Sequence, residues 1–152
     1  MTSRERVLAA LDHKEADRVP IDFGAHRSSG ISAIAYAKLK KSLGITADDI
    51  YVYDMVQQLA IVEPEILDYF DIDVIELGRG FLLDDDDWKE WVLPDGTPCK
   101  IPAYINVELR GADWYLKSDK GRDLGVQKEG CLYFEQMFWP WMDRKIEEQD
   151  FT

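Results

Sequence analysis

Basic residues, cysteines and long apolar runs are all scarce in this 152-residue chain. Lysine and arginine total 18 against 30 aspartates and glutamates, which gives a net charge of −12. A surface that binds nucleic-acid phosphates needs clustered lysine and arginine, so this balance argues against a nucleic-acid partner. The one basic cluster, Lys38, Lys40 and Lys41, falls on a predicted helix, and we interpret it as a solvated helix face.

No apolar run approaches the length that a membrane-spanning helix needs. The N-terminus enters a mixed-charge helix directly, without the apolar core of a signal peptide. We therefore expect a cytoplasmic protein with no membrane partner.

The two cysteines, Cys99 and Cys131, form neither a CxxC nor an HxC pattern. A protein zinc site needs three or four ligands. The four consecutive aspartates at 84–87 lack the spaced ligands and the glycine of a calcium-binding loop. The chain alone therefore carries no predicted metal site, and we expect both thiols to be reduced and structural.

What the first eighty residues do contain is an alternation of helix and strand signals. Residues 2–5 have the form of a capping box, and apolar residues follow at helical spacing. Pro20 lies near the beginning of an apolar segment, 19–23, as is allowed at the start of a strand. A loop of glycine, histidine, arginine and serine at 24–30 then leads to a helix predicted over 29–43.

A third helix is predicted from Pro64, because proline favours the first helical turn. It leads to a second apolar strand over 72–77. This order predicts an α/β fold, the N-terminal part of a (β/α)₈ TIM-like barrel followed by a small antiparallel β-hairpin region. A complete barrel takes roughly 250 residues, so 152 residues correspond to only part of one.

Turn signals and alternating apolar residues dominate the second half and predict antiparallel hairpins. We predict three parts: the barrel-like segment at 1–83, a hairpin subdomain at 84–137 and a C-terminal segment at 138–152. The second half also contains every tryptophan of the chain: Trp88, Trp91, Trp114, Trp139 and Trp141. These residues favour a sheet core or a packing surface, and the alternative is a non-catalytic module that binds a protein partner through them.

The Asp-Arg-Val-Pro motif at 17–20, together with the helical segment 4–11, resembles the N-terminal region of the uroporphyrinogen decarboxylase family. Two further segments, 54–58 and 70–76, strengthen this similarity. The match is nearest to the methyltransferase-like branch, whose members are linked to corrinoids and cobalamin. It spans nearly the whole chain but only the first part of the family's usual length.

The resemblance implies an enzyme whose active site lies at the carboxyl ends of the barrel strands. The parent reaction would be corrinoid-dependent methyl transfer, with uroporphyrinogen decarboxylation as the alternative. Corrinoid and zinc belong to the complete enzyme, since the family's His-x-Cys pair and distant cysteine do not occur here. A second copy or a second polypeptide would complete the barrel, and a corrinoid protein is a further expected partner.

Six residues are candidates for substrate binding: Asp22, His26, Arg27, Asp54, Glu76 and Arg79. The first three follow the first predicted strand, where decarboxylases carry an arginine loop that grips substrate carboxylates. Decarboxylases also carry an aspartate after the second strand, near the position where this chain has Gly80, and the loop here has only one arginine. Methyl transfer is therefore the preferred reaction. The sequence assigns no catalytic residue.

Two simpler interpretations of these candidates stay open. The His26-Arg27 pair in a glycine- and serine-rich loop before a helix suits an anion, because backbone amides and the helix dipole add to the guanidinium. The same two residues could equally be an ordinary pair on the surface with no ligand. Glu76 and Arg79 could likewise form a salt bridge at the end of a strand instead of binding substrate.

Overall fold

The computed structural model describes residues 1–45, 49–76, 84–139 and 142. Three α-helices lie within this part of the chain: α1 (Ser3–Leu11), α2 (Ala33–Ser42) and α3 (Pro64–Tyr69). The strands described there are β1 (Val52–Asp54), β2 (Leu59–Ala60), β3 (Trp88–Val92), β4 (Pro98–Pro102), β5 (Asn106–Arg110), β6 (Asp113–Lys117), β7 (Asp123–Gln127) and β8 (Glu135–Gln136). Short 3₁₀ turns occupy Arg27–Ser29 and Asp85–Asp87.

All of these strands pair antiparallel with a neighbour in sequence. They form two two-stranded sheets, β1-β2 and β3-β4, and one four-stranded sheet in the order β5-β6-β7-β8. The prediction of an α/β chain that forms part of a TIM barrel is therefore wrong. A barrel needs parallel strands joined by helical crossovers, whereas the strands described here are joined mainly by turns and the helices are short.

The two segments that predicted barrel strands contain the physical reason for this error. Asp22 and Val74 form one isolated parallel bridge, and within the described residues no longer ladder extends from it. Val19 is 79% exposed and Ile75 is 61% exposed, so these apolar residues are not covered by the layers of a barrel. Apolar composition indicates a strand, but it does not specify which partner the strand finds.

Predictions from local sequence signals are more accurate for the helices than for the barrel strands. The capping box of α1 is confirmed: the Glu5 amide donates to the Thr2 hydroxyl and the Thr2 amide donates to the Glu5 carboxylate. Helix α2 begins later than predicted, because Ser32 caps it and Arg27–Ser29 forms a separate turn. No helix within the described residues combines the length and apolarity that crossing a membrane requires.

A short hairpin at residues 51–60, which we call the central hairpin, lies in the middle of the packing. Its Gln58 carbonyl accepts from the Ala33 amide of α2, and its Val56 carbonyl accepts from the Phe134 amide. Buried side chains from both halves of the sequence pack around it in one cluster. The cluster comprises Ala33, Tyr36, Ile50, Val52, Met55, Ala60, Ile66, Leu93, Cys99, Ile101, Leu116 and Phe134. The subdivision into three parts stays a prediction.

The Asp-Arg-Val-Pro motif has a structural role in this fold. Asp17 accepts from the Arg6 guanidinium, with 2.6 Å between the Arg6 Nε and an Asp17 oxygen. Arg18 and Arg6 both donate to Asp73, whose side chain is fully buried. Burial alone would raise the pKa of Asp73, but hydrogen bonds from the Ile21 amide and neighbouring side chains outweigh it and lower the pKa to about 2. The network ties α1 to the segment after α3.

The tryptophans described here contribute mainly to packing between sheets. The rings of Trp91 and Trp114 meet edge to face with centroids 4.5 Å apart, and Trp88 meets Tyr51 in the same way at 4.8 Å. Trp139 is 51% exposed, while Trp141 lies outside the described residues. Edge-to-face contacts of this kind stabilise a core beyond the area they bury.

Candidate functional site

The site is built on residues 22–30, which we call the arginine loop. Asp22 holds the loop together, because its Oδ1 accepts from the Ala25 amide at 3.0 Å and from the Ser29 hydroxyl at 2.9 Å. The Gly24 amide donates to the Ser29 carbonyl, which closes the loop. Gly24 has φ +88°, and a Cβ there would lie 2.8 Å from a Val62 methyl carbon, so only glycine fits without a shift.

His26 caps the 3₁₀ turn within this loop. Its Nδ1 accepts from the Ser28 amide at 3.3 Å and lies 3.0 Å from the Ser28 hydroxyl. A ring nitrogen that accepts carries no proton, so this contact assigns the N–H of the ring to Nε2. The imidazole is therefore part of the loop's own structure, and it positions the turn on which Arg27 is mounted.

Arg27 joins the arginine loop to the central hairpin through an ion pair with Asp54. The Arg27 Nε lies 2.7 Å from the Asp54 Oδ2, and the Asp54 side chain is only 4% exposed. The other Asp54 oxygen accepts from the Gln57 amide at 2.8 Å. A buried carboxylate needs such partners, because it has lost its hydration. Arg27 itself is 66% exposed, so its guanidinium faces solvent.

The loop backbone also packs closely on the hairpin. A Cβ on Gly30 would lie 2.7 Å from a Leu59 methyl carbon and 3.4 Å from the Tyr53 hydroxyl. Ser32 bridges Leu59 immediately beyond this point. The contact and the ion pair together fix the position of the guanidinium, so its orientation does not depend on a freely moving surface loop.

Four of the six predicted site residues are thus close together. Asp22, His26 and Arg27 share the arginine loop, and Asp54 is its partner on the hairpin. Glu76 is exposed, two residues after Val74, and it does not belong to the Arg27–Asp54 pair. Arg79 lies outside the described residues.

Sequence reasoning missed the residues that support these four. Ser29 orders the loop through Asp22, and Gln57 completes the coordination of Asp54. Gln58 is 2% exposed and has φ +53°, a backbone conformation that is uncommon for residues other than glycine. Gln57 acts through its backbone amide and its side chain is exposed, so its residue type carried no signal for this contact.

The predicted solvated lysine face of α2 also needs correction. Lys40 is 2% exposed and forms an ion pair with Glu63, while the Tyr36 hydroxyl donates to the same carboxylate at 2.9 Å. The buried Lys40 is thus paired with a carboxylate and does not belong to a solvated face. Lys38 and Lys41 are exposed, as predicted.

Within the described residues, no group of three histidine, cysteine, aspartate or glutamate side chains could hold a metal ion. Cys99 is buried, and its burial, together with the nearby Glu90 charge, raises the pKa of the thiol to about 12. That thiol therefore stays protonated and is a poor metal ligand. Comparison with known proteins gives no further assignment, since no family model, no curated protein and no solved structure matches this chain.

Proposed function

We propose that the arginine loop binds a carboxylate of a small-molecule substrate, and that this chain is part of an enzyme related to the uroporphyrinogen decarboxylases. The family assignment and the reaction come from the resemblance of residues 4–11 and 17–20. Corrinoid-dependent methyl transfer is the preferred reaction and decarboxylation the alternative. We place the enzyme in the cytoplasm, with zinc and corrinoid supplied by the complete assembly.

One observation carries the binding proposal: a largely exposed guanidinium is held through its Nε by a buried carboxylate. An arginine anchored in this way keeps its two terminal nitrogens as a fork, and the fork matches the two oxygens of a carboxylate. Because Asp54 and the loop fix the side chain beforehand, binding a ligand costs little side-chain entropy.

The test uses uroporphyrin as a carboxylate-rich probe and hydroxocobalamin as a corrinoid probe, each titrated by absorbance or fluorescence. We expect Arg27→Ala to weaken uroporphyrin binding by about tenfold or more, the value of one charge-assisted bidentate contact. Since Arg27→Ala leaves Asp54 buried without its cation, the double variant Arg27→Ala/Asp54→Asn provides a version in which no charge is left unpaired.

Arg110→Ala is the matched control, because Arg110 is an ion-paired arginine on the sheet, bound to Glu108 and Asp123. This control should bind uroporphyrin like the wild type. Undiminished binding by both Arg27 variants contradicts the role of the loop. Failure of the wild type to bind either probe contradicts the enzyme proposal as a whole.

A binding module is the second candidate function, and exposed aromatic residues in the second half favour it. Tyr104 is 60% exposed, Tyr133 is 54% exposed and Trp139 is 51% exposed. Aromatic residues of this kind are enriched at protein interfaces. If neither uroporphyrin nor hydroxocobalamin binds, this candidate takes the first place.

We further propose that the chain works together with a second copy or a second polypeptide, or with a corrinoid protein. The isolated Asp22–Val74 bridge leaves strand-like backbone beside exposed apolar side chains. Exposed apolar side chains grouped in this way are natural sites for contact with another chain.

A further inference from the structure

A second cleft, of about 260 Å³, lies beside helix α2, and none of the predicted site residues lines it. Ile34 and Ala35 of α2 contribute to its wall, as do Leu132 and Tyr133 from the segment before β8. Gln58 of the central hairpin also lines this space. We call it the α2 cleft. Its volume is below the range of roughly 300–1,000 Å³ that holds drug-sized ligands, so its occupant must be small.

Gln58 contributes a hydrogen-bond acceptor that the described residues leave unused. Its Nε2 donates to the Gln127 Oε1 at 3.4 Å, while its Oε1 is buried without a hydrogen-bond partner in the described part of the chain. Gln127 determines this orientation, because its own Nε2 donates to the Cys131 carbonyl at 3.0 Å and its oxygen must therefore face Gln58. An unpaired buried carbonyl oxygen is costly, and a ligand N–H or O–H would satisfy it.

Lys38 contributes a positive charge to the same cleft. It follows Ile34 by four residues, so the two side chains lie on the same face of α2. Among the described residues, none forms an ion pair with Lys38, although the chain as a whole carries a net charge of −12. This cation complements a carboxylate at the mouth of an otherwise apolar space.

We propose that the α2 cleft binds a small aromatic carboxylate that also carries an N–H or O–H donor. The flat apolar body packs against Ile34, Leu132 and Tyr133, the donor bonds to the Gln58 Oε1, and the carboxylate pairs with Lys38. This site is separate from the arginine loop and does not rest on its proposed function.

The first experiment compares two probes that differ in one group. Indole-3-acetate has the ring N–H, and 1-benzothiophene-3-acetate has a sulfur atom in its place. We titrate each into the isotope-labelled full chain and follow the amide NMR signals of Ile34, Leu132 and Tyr133 and the methyl signals of Ile34 and Leu132. Indole-3-acetate should bind about fivefold to tenfold more tightly, the value of one hydrogen bond to a buried acceptor. Equal affinities, or no binding of either probe, overturn the proposal.

Variants then locate the bound probe. Ala35 is exposed on α2, so Ala35→Trp should fill the cleft without disturbing the core, and indole-3-acetate affinity should fall at least tenfold. Lys38→Met should lower it about fivefold, whereas Lys41→Met, an exposed lysine of the same helix outside the cleft, should leave it unchanged. Equal losses in the two lysine variants, or unaltered binding by Ala35→Trp, overturn the proposal. Uroporphyrin titrations of the same variants report on the arginine loop separately.

Discussion

At the residue scale, the most consequential side chain outside the site is Asp73. It receives hydrogen bonds from two guanidiniums, those of Arg6 and Arg18, and from the Ile21 amide. Asp73→Asn would leave two arginines without their shared carboxylate. We expect the midpoint of thermal unfolding to fall by several degrees, measured by circular dichroism. Asp12→Asn, which removes an exposed carboxylate that pairs with the exposed Lys14, should change it by no more than about one degree.

The same carboxylate predicts a dependence of stability on acid. The folded state lowers the pKa of Asp73 from 3.8 to about 2, so the ionised form stabilises the fold. That contribution is complete above about pH 5 and is lost as the pH falls through the interval between these two values. The difference in unfolding midpoint between wild type and Asp73→Asn should therefore shrink from pH 6 to pH 2. A constant difference across that range contradicts the assignment.

Gly24 gives a second prediction at this scale. Gly24→Ala adds both the strain of a positive φ and a contact with Val62, whereas Gly96→Ala, at φ +85°, meets no atom within 4 Å. We expect Gly96→Ala to cost about 1–2 kcal/mol of unfolding free energy and Gly24→Ala about 1 kcal/mol more, from crowding. Urea unfolding measures both. Equal losses would mean that Val62 moves aside freely.

At the scale of elements, Tyr36 couples helix α2 to helix α3. Its hydroxyl accepts from the Glu63 amide at 2.9 Å, at a helix N-terminus that has no side-chain cap. Tyr36→Phe removes that acceptor and should cost about 1–2 kcal/mol of unfolding free energy, because the amide is left unsatisfied. Tyr69→Phe, at a 62% exposed position of α3, is the control and should cost almost nothing. Similar effects of the two substitutions would contradict the coupling.

The same scale explains what the sequence could and could not predict. The cap of α1 is encoded within four residues, so its signal is local and its prediction is confirmed. A barrel requires pairing between distant segments. The apolar runs at 19–23 and 72–77 do not specify which segment each strand pairs with. Short connections instead let β3 pair with β4, and β5 to β8 pair in sequence order, at a smaller loop-closure cost.

The candidate site shows the same division. Arg27 and Asp54 could each be named from the resemblance and from residue chemistry, yet their 2.7 Å ion pair joins positions 27 residues apart. Only the docking of the arginine loop on the central hairpin creates that contact. The α2 cleft was not predictable for a related reason, because Gln58 and Tyr133 meet there only after both halves of the chain fold around one core.

At the scale of the whole molecule, exposed apolar side chains and the net charge have opposite effects on association between chains. Val19, Ile21 and Ile75 are 79%, 40% and 61% exposed, and they border the isolated Asp22–Val74 bridge. Exposed apolar side chains grouped in this way favour association between chains. Two copies that each carry a charge of −12 repel each other. Association should therefore strengthen as added salt screens the charges.

This balance leads to a prediction for sedimentation velocity across protein and salt concentrations. We expect the wild type to self-associate more strongly at 0.5 M salt than at 0.05 M, because salt screens the repulsion between the copies. Ile75→Lys should weaken the association at least tenfold, because a charge is then buried in the contact. Leu109→Lys is the control, since Leu109 is 52% exposed on β5, an edge strand of the four-stranded sheet. It should associate like the wild type. If Leu109→Lys alone disrupts association, the contact lies along β5 instead. A wild type that stays monomeric at every salt concentration contradicts self-association both at the Asp22–Val74 bridge and along β5.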